Sequence, residues 1–109
     1  MEHFREYQGR RKYQRKKISC EFRLYTSIKR GAYSSKASDI SKGGAFIKSQ
    51  FLPKSGEVIT YEILDSMFKV VTTGNAKVVW TKDRGPTKEH GFGVSFEEEI
   101  DDQTLSAII

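Results

Sequence analysis

Two clusters of side chains in this chain have the types and spacing for recognising an anion and a purine together. Arg11-Lys12-Tyr13-Gln14-Arg15 sets two guanidiniums four residues apart, and Asp39-Ile40-Ser41-Lys42-Gly43-Gly44 sets a carboxylate and a hydroxyl just ahead of a glycine pair. A guanidinium stays charged and presents a planar fork of donors, so it takes bidentate hydrogen bonds from phosphate oxygens or from the O6/N7 edge of guanine. A carboxylate accepts from the N–H donors of the same base. Few ligands want both, and a guanine attached to phosphate is one that does.

Other chemistries find little to work with. Cys20 is the one cysteine, so no internal disulfide forms, and with only His3 and His90 there is no credible metal-ligand set. Cys20 falls on the apolar side of an alternating run and is expected in the core. No nucleophile is paired with a base, no two carboxylates stand at a useful spacing, and Ser41-Lys42-Gly43-Gly44 is too short for a phosphate-binding loop of the Walker type. An enzyme is not expected, nor is a cofactor.

Charge is distributed unevenly. Residues 1–17 hold seven Lys/Arg against Glu2 and Glu6, while the remaining twelve basic and twelve acidic residues cancel, so the whole net charge of +5 resides in the N-terminal leader. Such a block can grip an anion, or it can simply be a solvated tail. With 109 residues, 37% hydrophobic and 30% charged, the chain reads as one soluble globular domain: a basic arm over residues 1–17 and a folded unit over 18–109. No apolar run approaches the roughly 20 residues of a membrane span, and none follows the basic leader as in a secretory signal. A cytoplasmic protein is expected, without membrane insertion.

The elements that must position the two clusters are strands. Residues 17–25 alternate, with Ile18, Cys20, Phe22 and Leu24 on one side. A weaker strand over about 32–40 leads to the Ser41–Gly44 turn, and Ala45-Phe46-Ile47 follows as a third. Pro53-Lys54-Ser55-Gly56 marks the next turn. Residues 58–64 are rich in β-branched and aromatic types, and 68–73 and 76–81 continue the pattern around Gly74-Asn75. A polar loop over 83–90 precedes a last strand, 91–96, whose alternate glycines leave room for close approach by a ligand or another backbone. Asp101 or Asp102 can cap a short helix bearing Leu105, Ile108 and Ile109, which must lean on the sheet or a partner. Six to seven short strands and a terminal helix predict an all-β fold with a short C-terminal helix, a small antiparallel barrel.

In order and spacing the motifs resemble those of the PilZ family, bacterial receptors for cyclic di-GMP: RxxxR on an N-terminal arm, a strand, then (D/N)xSxxG at a strand turn. Val78-Val79-Trp80 and Gly91-Phe92-Gly93-Val94-Ser95-Phe96 match the family's later strands, so the similarity spans about residues 10–97. The resemblance implies that Arg11 stacks on or bonds a guanine and that Arg15 holds phosphate and a base edge. Asp39 would accept from the Watson–Crick donors, Ser41 would donate to phosphate or base, and Gly44 with Gly43 would leave room for the ligand. Asp39 is also the residue type that forms turns ahead of glycines. Arg10, just before the motif, resembles members that take an intercalated pair of ligands, which implies two molecules per chain. Trp80 is a wall of the pocket or a core residue. On this resemblance, ligand would order an otherwise loose arm against the barrel and create a surface for a downstream effector protein. The rival readings are a barrel for single-stranded nucleic acid, with Phe4, Tyr7 and Tyr13 interleaved among the basic residues, and a PilZ adaptor that has lost its ligand. Nucleic acid is the less expected partner.

Overall fold

Alternation of apolar and polar residues along most of the chain produces strands that each have one face to bury, and they bury it by closing on themselves. The structure, a computed structural model, describes residues 16–26 and 29–108. Its elements are β1 (Lys16–Thr26), β2 (Lys29–Ile40), β3 (Gly44–Lys48), β4 (Val58–Leu64), β5 (Val70–Lys82), β6 (Gly91–Phe96) and α1 (Asp102–Ile108). All neighbouring strands are antiparallel, and the order β1-β2-β3-β6-β5-β4 closes into a barrel. Closure pairs both edges of the sheet, which an open sheet of this size would leave exposed.

The interior is filled by Phe22 and Leu24 of β1, Ile47 of β3, Ile59 and Ile63 of β4, Val78 of β5 and Phe92 of β6, all fully buried. Cys20 joins them, and burial pushes its thiol from near 9 up to about 12. The side chain of Ile18 lies outside the described residues. Asp101 is the helix cap: its Oδ1 accepts from the Thr104 N–H at 2.7 Å, and its carboxyl is held below the usual range by that bond and by the Thr104 side chain. Leu105 and Ile108 then pack α1 against the barrel core, as a two-turn helix requires. Ile109 lies outside the described residues. None of the described helices is long and apolar enough to cross a membrane.

Among the described residues the strand count is six, because β5 runs unbroken through Gly74-Asn75. Gly74 pairs with Tyr61, and a Cβ there would stand 3.0 Å from the tyrosine hydroxyl, so the glycine makes room for a ring laid across it rather than turning the chain. Asn75 stays in the ladder opposite Thr60, whose hydroxyl bonds Asn75 Oδ1 at 2.9 Å. The reversal before β5 instead occupies 65–69, which takes Phe68 out of the strand expected to begin with it. Asp65 Oδ1 accepts from the N–H groups of Met67 and Lys69, and Phe68 takes a left-handed φ of 61°.

Candidate functional site

A strand's side chains alternate between faces, so a one-residue bulge moves everything beyond it to the other side. Two bulges build the candidate site in this way. In β5, Ala76 and Val78 point into the barrel, and the register with β6 then shifts between Val78 and Trp80. Trp80 therefore pairs with Gly93 and emerges on the outer face, half-buried and outside the core cluster. The core reading of Trp80 is corrected by that extra residue. In β2, the register with β3 shifts between Ala37 and Asp39, which sets Asp39 opposite the outward Phe46 while Ile40 remains buried opposite Ala45.

Together these shifts align a single row across five strands. In register it runs Lys17, Asp39, Phe46, Gly93, Trp80. Phe46 and Trp80 stack over the glycine, with ring centroids 5.1 Å apart and planes 22° from parallel. A Cβ on Gly93 would overlap the indole, and one on Gly91 would overlap the Ile47 carbonyl and the Phe46 ring. The room at these alternate glycines is thus taken by the protein's own aromatics and backbone. The outward neighbours Lys48, Lys77 and Lys82 give the flanks positive charge, with Lys82 3.7 Å from Glu89.

The Asp39–Gly44 hairpin is a structural brace as well as a motif. Ser41 is only 6% exposed, and its backbone N–H donates to the Gly44 carbonyl at 2.8 Å. Its hydroxyl accepts from the Gly43 N–H at 3.3 Å and donates to Gly44 O at 3.4 Å. The carbonyl of Gly43 accepts from Phe96 N–H and that of Lys42 from Ile100 N–H, while Lys42 Nζ meets Asp102 at 2.8 Å. A Cβ at Gly44 would overlap the Val94 carbonyl. The space expected for a ligand above Gly44 is filled by β6, and the glycine lets β3 and β6 meet.

Arg10, Arg11 and Arg15 lie outside the described residues, as do Phe4, Tyr7 and Tyr13. The chain enters β1 beside the candidate row, with Lys16 paired to Ile40 and Lys17 to Asp39, so Arg15 precedes this pairing by one residue. Phe46 was not among the residues singled out from sequence. Its signal was the pair of alternate glycines, Gly91 and Gly93, which need an aromatic neighbour to cover them. Among the described residues no cluster of metal-ligating side chains occurs.

A six-stranded closed barrel with a braced motif hairpin and an aromatic outer row defines a small antiparallel β-barrel domain. The chain belongs to the PilZ domain family, whose profile matches residues 9–109. It is similar in structure to the Bacillus subtilis inhibitor of motility MotI/DgrA, with a TM-score of 0.69 and 14% identity over 90% of this chain and 47% of that one. It therefore spans about half of the MotI/DgrA chain. It is also similar to the PilZ domain of YcgR from Escherichia coli, solved with c-di-GMP, with a TM-score of 0.59 and 15% identity over 90% and 86% of the two chains. At these identities the likeness is one of fold. No curated protein sequence matches the chain significantly.

Proposed function

We propose that this chain is a receptor and adaptor for cyclic di-GMP, acting by binding rather than catalysis in the bacterial cytoplasm. The observation that carries the reading is the outer row, in which motif Asp39 and the stacked Phe46–Trp80 pair share one face beside the point where the RxxxR segment joins β1. Membership in a family with a member solved with c-di-GMP supports it.

In this reading Asp39 accepts from guanine N1–H and N2–H₂, and the half-buried aromatic pair offers a purine an apolar surface to pack against. Arg11 and Arg15 supply the permanent cations for the phosphates and base edges, and Arg10 offsets the charge of a second, stacked ligand. Ser41, Gly43 and Gly44 act chiefly by fixing the hairpin that aims Asp39. Ligand bridging the leader to the barrel orders the leader and forms the surface an effector protein reads.

Isothermal titration with cyclic di-GMP tests the assignment. Arg11→Ala and Asp39→Ala should each weaken binding by about 1–3 kcal/mol, the cost of a lost bidentate base contact. Near-equal heats in the wild type and both variants would remove the pocket. A second reading has one observation in its favour, since a half-buried outer-face aromatic pair flanked by Lys48, Lys77 and Lys82 also suits stacked bases of a single strand. A steep log–log salt slope that grows with oligonucleotide length would favour that reading.

A further inference from the structure

Two residues along the strands from the aromatic row, and therefore on the same face, the barrel carries a second row. In register it runs Lys48, Gly91, Lys82 across β3, β6 and β5. Both lysines are exposed. Ile47 and Phe92, which separate the rows in β3 and β6, turn into the core, and no register shift interrupts β5 between Trp80 and Lys82. The rows are joined by a ring. A Cβ on Gly91 would stand 2.6 Å from Phe46 Cζ, so the Phe46 ring leans out of its own row towards the glycine that the two lysines flank.

These lysines are weakly neutralised by the protein. Among the described residues Lys82 has one ionic neighbour, Glu89, at 3.7 Å, in an exposed pair of the kind that contributes little. Lys48 has no ion pair with another described residue. The two Cα atoms are two strand spacings apart, about 10 Å. From that separation two long, flexible stems can bring their ammoniums onto the oxygens of one phosphate held between them.

Resting on the receptor reading above, the base determines where a phosphate falls. Asp39 in β2 takes the Watson–Crick edge, and the Phe46–Trp80 pair takes the face. The glycosidic nitrogen lies on the other side of a purine from that edge, so sugar and phosphate leave away from β2, over β6. There Lys48 and Lys82 flank Gly91. Lys77 stands beyond Trp80 in the opposite direction, in register with Ser95. We propose that Lys48 and Lys82 form a phosphate subsite of the barrel itself, holding the phosphodiester of the guanine packed on Phe46 and Trp80, with Glu89 the counter-ion that this phosphate displaces. The subsite makes the face selective for a nucleotide over a nucleoside, since neutral guanosine engages Asp39 and the rings but forfeits the lysines.

Calorimetric titration of the full-length protein with cyclic di-GMP, at physiological and at high ionic strength, tests the assignment. Lys48→Gln and Lys82→Gln should each weaken binding about tenfold and flatten its salt dependence, as loss of a charge-assisted hydrogen bond requires. Lys77→Gln acts only through the screened field and should cost less than about twofold. Glu89→Gln frees Lys82 and should tighten binding about twofold to fivefold. Wild-type affinity and salt dependence in both Lys48→Gln and Lys82→Gln would overturn the subsite while leaving the receptor reading in place. A loss in Lys77→Gln as large as theirs would overturn it too, by reducing the effect to general surface charge. Absence of any heat with the wild type would instead remove the receptor reading, and the subsite with it.

Discussion

Phe68 bears two costs at one position, a left-handed backbone that a β-carbon disfavours and a ring that is 70% exposed. Asp65 imposes the conformation by accepting from two backbone N–H groups of the same turn. Phe68→Asn should therefore stabilise the fold by about 0.5–1 kcal/mol, since asparagine tolerates this region and little packing is lost; a lowered urea midpoint would count against this. Gly44 is the opposite case. Gly44→Ala drives a Cβ into the backbone of β6 and should destabilise by about 1–3 kcal/mol, readable as a fall in Tm. Cys20 gives a pH prediction. Its folded pKa, about 12, lies above the ordinary 9, so the unfolded chain loses this proton first. Stability associated with the thiol is intact below pH 9 and declines as pH rises from there towards 12. Cys20→Ala should lessen that decline in an alkaline denaturation series, and a native-state thiol assay at neutral pH should find Cys20 unreactive.

Among the elements, α1 depends most visibly on a single residue. Asp101→Asn keeps a capping oxygen while Asp101→Ala removes it, so only the alanine variant should lower the urea midpoint markedly at neutral pH. Because the Asp101 carboxyl is held below its usual 3.8, its contribution is present above that value and fades as pH falls through the depressed range. The strands were legible in sequence wherever alternation was strict: Cys20, Phe22 and Leu24 face inward as the period-2 pattern requires. The pattern misled where a glycine or a bulge intervened. Gly74-Asn75 looks like a turn locally, and only the partner strand, with Tyr61 opposite, reveals it as a seat for a ring. Trp80 could not be oriented from its own strand, because the bulge that turns it outward is defined by β6. The hairpin motif was visible as residue types, but its bracing of Phe96 and Ile100 rests on contacts between residues more than 50 positions apart.

At the scale of the whole molecule, the closed barrel carries on its outer face an aromatic row in register with Asp39. That row is proposed to hold ligand. Trp80, the only tryptophan in the chain, lies within it, and its emission reports that face alone. Titration of the full-length protein with cyclic di-GMP, read by Trp80 fluorescence alongside the adenine analogue and the linear dinucleotide, is the most direct measurement. Saturable change with cyclic di-GMP, absent with the analogues and strongly weakened in Asp39→Ala, is the predicted result. Binding detected by calorimetry with no change in Trp80 emission would place the ligand elsewhere and contradict the assigned face.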